Sequence, residues 1–96
     1  MNESNIDREK PPPISDEELM NMLARCKKTT PGPWRSFIEA RDKISGSDFI
    51  MTGGEDIYLI GATSDDQEFI ANCKQDIERL VNEILRLRAM NAWKEV

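Results

Sequence analysis

A 96-residue chain with a net charge of −5 makes one domain with a small core, and its acidic balance works against general affinity for nucleic acid backbones or anionic membranes. Histidine is absent, which removes Ser-His and Cys-His nucleophile pairs and imidazole metal ligands. No pair of acids sits in an apolar setting either, so the chain reads as a non-enzyme needing no metal and no cofactor. Cys26 and Cys73 lie too far apart for a metal-type spacing. With no targeting segment and no apolar run of membrane-spanning length, the expected compartment is the reducing cytosol.

Residues 1–13 are polar and charged and end in Pro11-Pro12-Pro13, which predicts a flexible tail ahead of a single domain over residues 14–96. A short helix follows over 14–28. Ser15 and Glu18 form a capping box, and Leu19, Met22, Leu23 and Cys26 make one apolar stripe. Pro31 stops this helix, and Gly32 and Pro33 lead the chain to Trp34. Three short strands are expected over 34–39, 48–52 and 56–60, the last two joined as a hairpin through Gly53-Gly54, with a polar connection over 40–47 turning at 45–47. Alternation puts Ile50, Ile57 and Leu59 on one face and Phe49, Met51, Tyr58 and Ile60 on the other.

The last element is a long helix over 64–93, with a capping box expected from Ser64 and Gln67. Ile70, Cys73, Ile77, Leu80, Ile84 and Leu87 are spaced as a heptad seam, with Ile70, Ile77, Ile84 and Asn91 at a and Cys73, Leu80 and Leu87 at d. Ile at a with Leu at d favours parallel two-stranded packing, and Asn at a fixes register. The expected fold class is therefore α+β: a short N-terminal helix, a three-stranded antiparallel β-meander and a long C-terminal helix. The first half of the seam is expected to pack within the subunit. The second half, through Ile77, Leu80, Ile84, Leu87 and Asn91, is expected to reach a partner in a homodimer or dimer-based oligomer.

The turn Thr30-Pro31-Gly32-Pro33-Trp34 after a short helix, and Asp66-Gln67-Glu68-Phe69-Ile70-Ala71 entering a leucine-rich helix, carry a likeness. Together they resemble the small early or accessory proteins of phages and prophages, among them the Ead-like early proteins of lambdoid phages. The likeness covers residues 15–88. Many Ead-like members have an Asn-Pro-containing segment after Phe-Ile-Ala, where this chain runs Asn72-Cys73-Lys74-Gln75. The resemblance implies a phage-borne accessory role in the host cytosol, not an activity.

Six bases (Arg25, Lys27, Lys28, Arg35, Arg41 and Lys43) gather within residues 25–43, whereas 44–68 carry acids and no base. Basic residues around a glycine-containing turn and a tryptophan suit a small anion, through stacking and charge-assisted bonds. The candidate ligand-binding set is Thr30, Trp34, Arg35, Arg41, Gly53 and Gly54, although the burial habits of tryptophan favour a core role for Trp34. The leading functional expectation is a non-enzymatic phage accessory, anti-defence protein that sequesters a nucleotide-like ligand. The alternative is a homo-oligomeric adaptor or inhibitor that binds a host protein through the long helix or the open sheet face.

Overall fold

The expected first helix forms as α1, Asp16–Lys28, in the computed structural model, which describes residues 12–44 and 46–94 and, of 93 and 94, the backbone alone. Ser15 caps it. Its hydroxyl accepts from Glu18 N at 3.0 Å while the Glu18 carboxylate accepts from Ser15 N at 3.3 Å, so two backbone donors are satisfied reciprocally. Acids in the first turn and Arg25, Lys27 and Lys28 in the last suit the helix dipole. The tail expected over 1–13 lies, as far as residue 11, outside the described residues.

Two strands follow. β1, Arg35–Phe37, and β2, Phe49–Met51, pair antiparallel with Ser36 opposite Ile50. The polar connection between them contains a one-turn helix, α2, Glu39–Asp42. Side chains satisfy its first donors: Ile38 N donates to Asp42 Oδ2 and Glu39 N to Asp48 Oδ1, both at 2.8 Å. Lys43 closes it in the left-handed region at φ 54°. Gly46, at φ 113°, fits the expected turn, of which residue 45 lies outside the described residues.

The expected three-stranded meander is corrected to two strands. Of residues 56–60, Ile57 alone pairs, exchanging both backbone bonds with Ile50 at 2.8 and 2.9 Å. The reason lies at the two ends of that bridge. At the hairpin tip, Gly53 N donates to Pro31 O at 2.7 Å, and Thr52 Oγ1 accepts from Gly54 N at 2.9 Å while donating to Glu55 O at 2.8 Å. The tip's polar groups are thus committed elsewhere. On the other side the chain leaves the sheet towards Gly61 at φ 85°, and Ile60 stands fully exposed.

The long helix is α3, Ser64–Lys94, 31 residues and therefore about 46 Å long. Its capping box is one residue earlier than expected: Thr63 Oγ1 accepts from Asp66 N, and Asp66 Oδ2 accepts from Thr63 N, both at 3.0 Å. Gln67 is thereby released for other work. Only 4% exposed, it aims Nε2 at Ser36 Oγ (2.9 Å), Phe37 O (3.1 Å) and Phe49 O (3.2 Å). Two turns on, Gln75 accepts from Trp34 N at 2.8 Å and donates to Trp34 O at 3.0 Å. Ile50 and Ala71, both fully buried, lie beneath these bonds.

α1 runs antiparallel along α3. Leu19, Leu23 and Val81 form the cluster between them, with Met22, Ile84 and Leu85 packed around it. At one end Arg88 donates to Asp16 at 2.6 Å; at the other Lys74 Nζ donates to Cys26 O at 2.6 Å. Among the described residues no helix is long and apolar enough to cross a membrane.

Gln67→Ala removes the buried side-chain bonds to Ser36 Oγ, Phe37 O and Phe49 O, and is expected to cost about 1–3 kcal/mol in urea unfolding. Gln67→Glu is expected to cost more at pH 7, because burial opposes its charged form and raises its folded pKa above the unfolded value of about 4.3. Its deficit relative to the parent should therefore shrink as pH falls through that range. Equal unfolding midpoints for the parent and the alanine variant would remove Gln67 from this role.

Candidate functional site

The expected ligand-binding residues separate into three places. Thr30, Gly53 and Gly54 do meet. A Cβ on Gly53 would lie 2.7 Å from Pro31 O, so the close approach of the hairpin tip to the proline turn requires glycine there, whereas one on Gly54 would meet only the Thr30 methyl, at 2.9 Å. Their N–H groups are spent on Pro31 O and Thr52 Oγ1, which leaves neither for a phosphate. Trp34 joins this group through Nε1, which donates to Thr30 O at 2.9 Å. Its backbone is held by Gln75 and its half-buried ring faces α3.

Arg35 is the next residue, and strand alternation turns it to the opposite face. There its guanidinium sits 4.9 Å from the Phe37 ring centre, at the head of an aromatic row in which Phe37 stacks on Phe49 at 5.2 Å and Phe49 meets Tyr58 at 6.1 Å. Arg41 is engaged as well. It pairs with Asp42 at 2.8 Å and with Glu68 of α3, and donates to Ser36 O at 3.0 Å. Hydrogen bonds that Arg41 donates to Asp42 and Glu68 raise its pKa, and the guanidinium together with Ile38 N–H holds Asp42 below the usual carboxylate range. Arg41 is thus a brace between α2, β1 and α3. The two arginines do not converge on Trp34.

The expected oligomer contact is placed differently. The stripe of α3 that packs on α1 and the sheet is Gln67, Ala71, Lys74, Gln75, Val81, Leu85 and Arg88. Apart from Gln75, each lies one residue beyond a seam position or in step with it, a rotation of about 100° on the helix. The seam is left largely uncovered. Ile77, Leu80 and Leu87 are 38%, 60% and 45% exposed, and Asn91 is exposed, while Ile84 is half-buried against the α1 cluster. Ile70, expected inside the subunit, is also 39% exposed.

Between the seam and α1 runs an apolar groove of about 410 Å³, walled by Met22, Cys26, Trp34, Ile70, Cys73 and Ile77, with Arg25 and Lys74 at its rim. Of these walls only Trp34 belongs to the expected ligand-binding set and only Ile77 to the expected oligomer contact. The missed signal was the α1 stripe: its Leu19 and Leu23 meet Val81, so Met22 and Cys26 must flank that contact. Beyond Ile70, on the other flank of the seam, Phe69 is 73% exposed beside residues 59–62. Among the described residues there is no group of three or more Cys, Asp and Glu side chains placed to hold a metal ion. Compared with protein-family models, with curated proteins and with solved structures, the chain matches none.

Gly53→Ala forces backbone apart at the turn and is expected to destabilise the fold by about 1–3 kcal/mol, read as a lowered thermal midpoint. A midpoint equal to that of the parent would show that the tip and the proline turn do not approach this closely in solution.

Proposed function

We propose that this protein is a non-enzymatic, homo-oligomeric interaction module: an adaptor or inhibitor of the phage accessory kind, in which paired α3 helices hold two sheets for contact with a host protein. The single observation that supports this most is the uncovered heptad seam. Ile70, Ile77, Leu80 and Leu87 follow the a/d pattern of a two-stranded coil, and α1 and the sheet use the neighbouring stripe instead. Fully burying one such side chain contributes about 1.5–3 kcal/mol. These four are 38–60% exposed, so eight of them in a dimer have roughly half of that contribution still to gain, about 6–12 kcal/mol against association costs of roughly 4–15 kcal/mol. The exposed Met51 and Tyr58 supply apolar surface for the host protein.

Sequestration of a nucleotide-like anion is the second reading. It draws on the meeting of Trp34 with Arg25 and Lys74 at one groove. Such an anion would lie over Trp34 without Arg35 or Arg41, since one is on the far face of β1 and the other is paired with acids. The groove walls are otherwise apolar, which favours protein contact over phosphate.

Light scattering at micromolar concentration is expected to give the mass of a dimer or a multiple of it. Leu80→Asp with Leu87→Asp should bring this to the monomer mass while far-ultraviolet circular dichroism keeps its helical signature. A monomeric parent protein would end the proposal. Incubation with cyclic and linear nucleotides is expected to leave them chemically unchanged by mass spectrometry, and a product scaling with protein concentration would count against a non-enzymatic role.

A further inference from the structure

Two features of the subunit are complementary to each other yet cannot meet within one chain. One is the apolar groove on the α1 side of the seam. The other is Phe69, which projects from the opposite flank of the same helix, 73% exposed. We infer that in the dimer each Phe69 inserts into the groove of the second copy, between its α1 and α3 and beside its Trp34, in a parallel, in-register pairing of the two α3 helices. This deepens the interaction-module reading and rests on it.

Heptad geometry decides the orientation. With Ile70, Ile77 and Ile84 at a, Phe69, Asp76 and Glu83 fall at g and Lys74, Val81 and Arg88 at e. In a parallel pair, a g residue faces the e residue of the following heptad on the other helix. Phe69 then meets Lys74 of the second copy, a lining residue of the groove, and Glu83 comes to face Arg88, each already paired within its own subunit, with Arg86 and Asp16 respectively. The groove itself occupies the e side of the seam from Ile70 to Ile77, where a g residue from the other helix arrives. An antiparallel pair matching the same seam residues would oppose g to g and e to e. It would set Asp76 against Glu83 and Lys74 against Arg88, each twice by symmetry, with like charges in every case.

Charge around the plug agrees. Phe69 has Asp65 and Asp66 about one turn away on its helix, and Arg25 lines the groove. A phenyl ring entering there finds the Trp34 indole and the Arg25 side chain in the groove lining, a favourable setting for aromatic and cation–π contacts, while the Lys74 ammonium is held by Cys26 O and Glu78. The contact is isologous: one insertion implies the other, so each site is completed only by the second copy.

The experiment uses the full chain. Phe69→Ser, at an exposed position, is expected to keep its circular dichroism and to raise the dimer dissociation constant at least tenfold in sedimentation velocity. Tyr58→Ser, on the outer sheet face, should leave that constant unchanged. In-register parallel pairing puts Cys73 opposite Cys73 at a d layer. Added copper–phenanthroline should therefore oxidise the two thiols to a disulfide-linked dimer on a non-reducing gel, and Cys73→Ala should abolish it. A dimer that forms no such cross-link, or one indifferent to Phe69→Ser, overturns the insertion while leaving the interaction module in place. A monomeric parent overturns both.

Discussion

Two side-chain amides hold the sheet to the long helix, and the remaining architecture follows from them. Gln67 gives its protons to Ser36, Phe37 and Phe49, and Gln75 pairs with both backbone groups of Trp34 as a neighbouring strand residue would. β1 is thereby bonded on one side by β2 and on another by a helix. A three-residue strand pair is marginal alone in water, since two strands bury little. Here two of its carbonyls, Phe37 O and Phe49 O, accept from a side chain on a rigid helix, and Ile50 of the sheet and Ala71 of that helix are fully buried. Low local dielectric makes such bonds effective when complete and costly when broken.

That attachment fixes which way α3 faces. With Gln67, Ala71 and Gln75 turned to the sheet, Val81, Leu85 and Arg88 are turned to α1, and the a/d seam is carried to the side. The subunit is correspondingly spread out. Its radius of gyration is 18.2 Å, against about 12–13 Å for a compact domain of this length. Its apolar core is thin, and much of the strongest hydrophobic pattern in the chain is on the outside.

Elements whose signals are local were legible in the sequence. Ser15 and Glu18 form the box that their spacing demands, and the heptad run is one unbroken helix. The box at the start of α3 was misplaced because Thr63-Ser64-Asp65-Asp66-Gln67 offers two overlapping matches, and only tertiary demand for Gln67 selects between them. The third strand failed for a similar reason. Gly53 N–H answers to Pro31, twenty-two residues away in sequence, and no local pattern records that. The ligand set was grouped by closeness along the chain, whereas alternation sends Trp34 and Arg35 to opposite faces, and Glu68 and Asp42 claim Arg41. A signal was present for the amide bonds: Gln67, Ala71 and Gln75 at intervals of four put small and polar residues on one helical face, which is odd for a face turned to solvent.

The latch between Arg88 and Asp16 joins residues separated by 72 positions. The cluster it closes sets Leu19 and Leu23 against Val81, so α1 is made well before the residues that support it. Thirteen residues do not hold a helix alone in water. During synthesis α1 must therefore wait, largely unformed, until the chain has emerged past Val81 and towards Arg88. Folding is then governed by closing that one long loop. A nascent chain halted within α3 would present the Met22 and Cys26 side of α1 with nothing to pack on, and would be a substrate for chaperones and proteases that the finished chain is not.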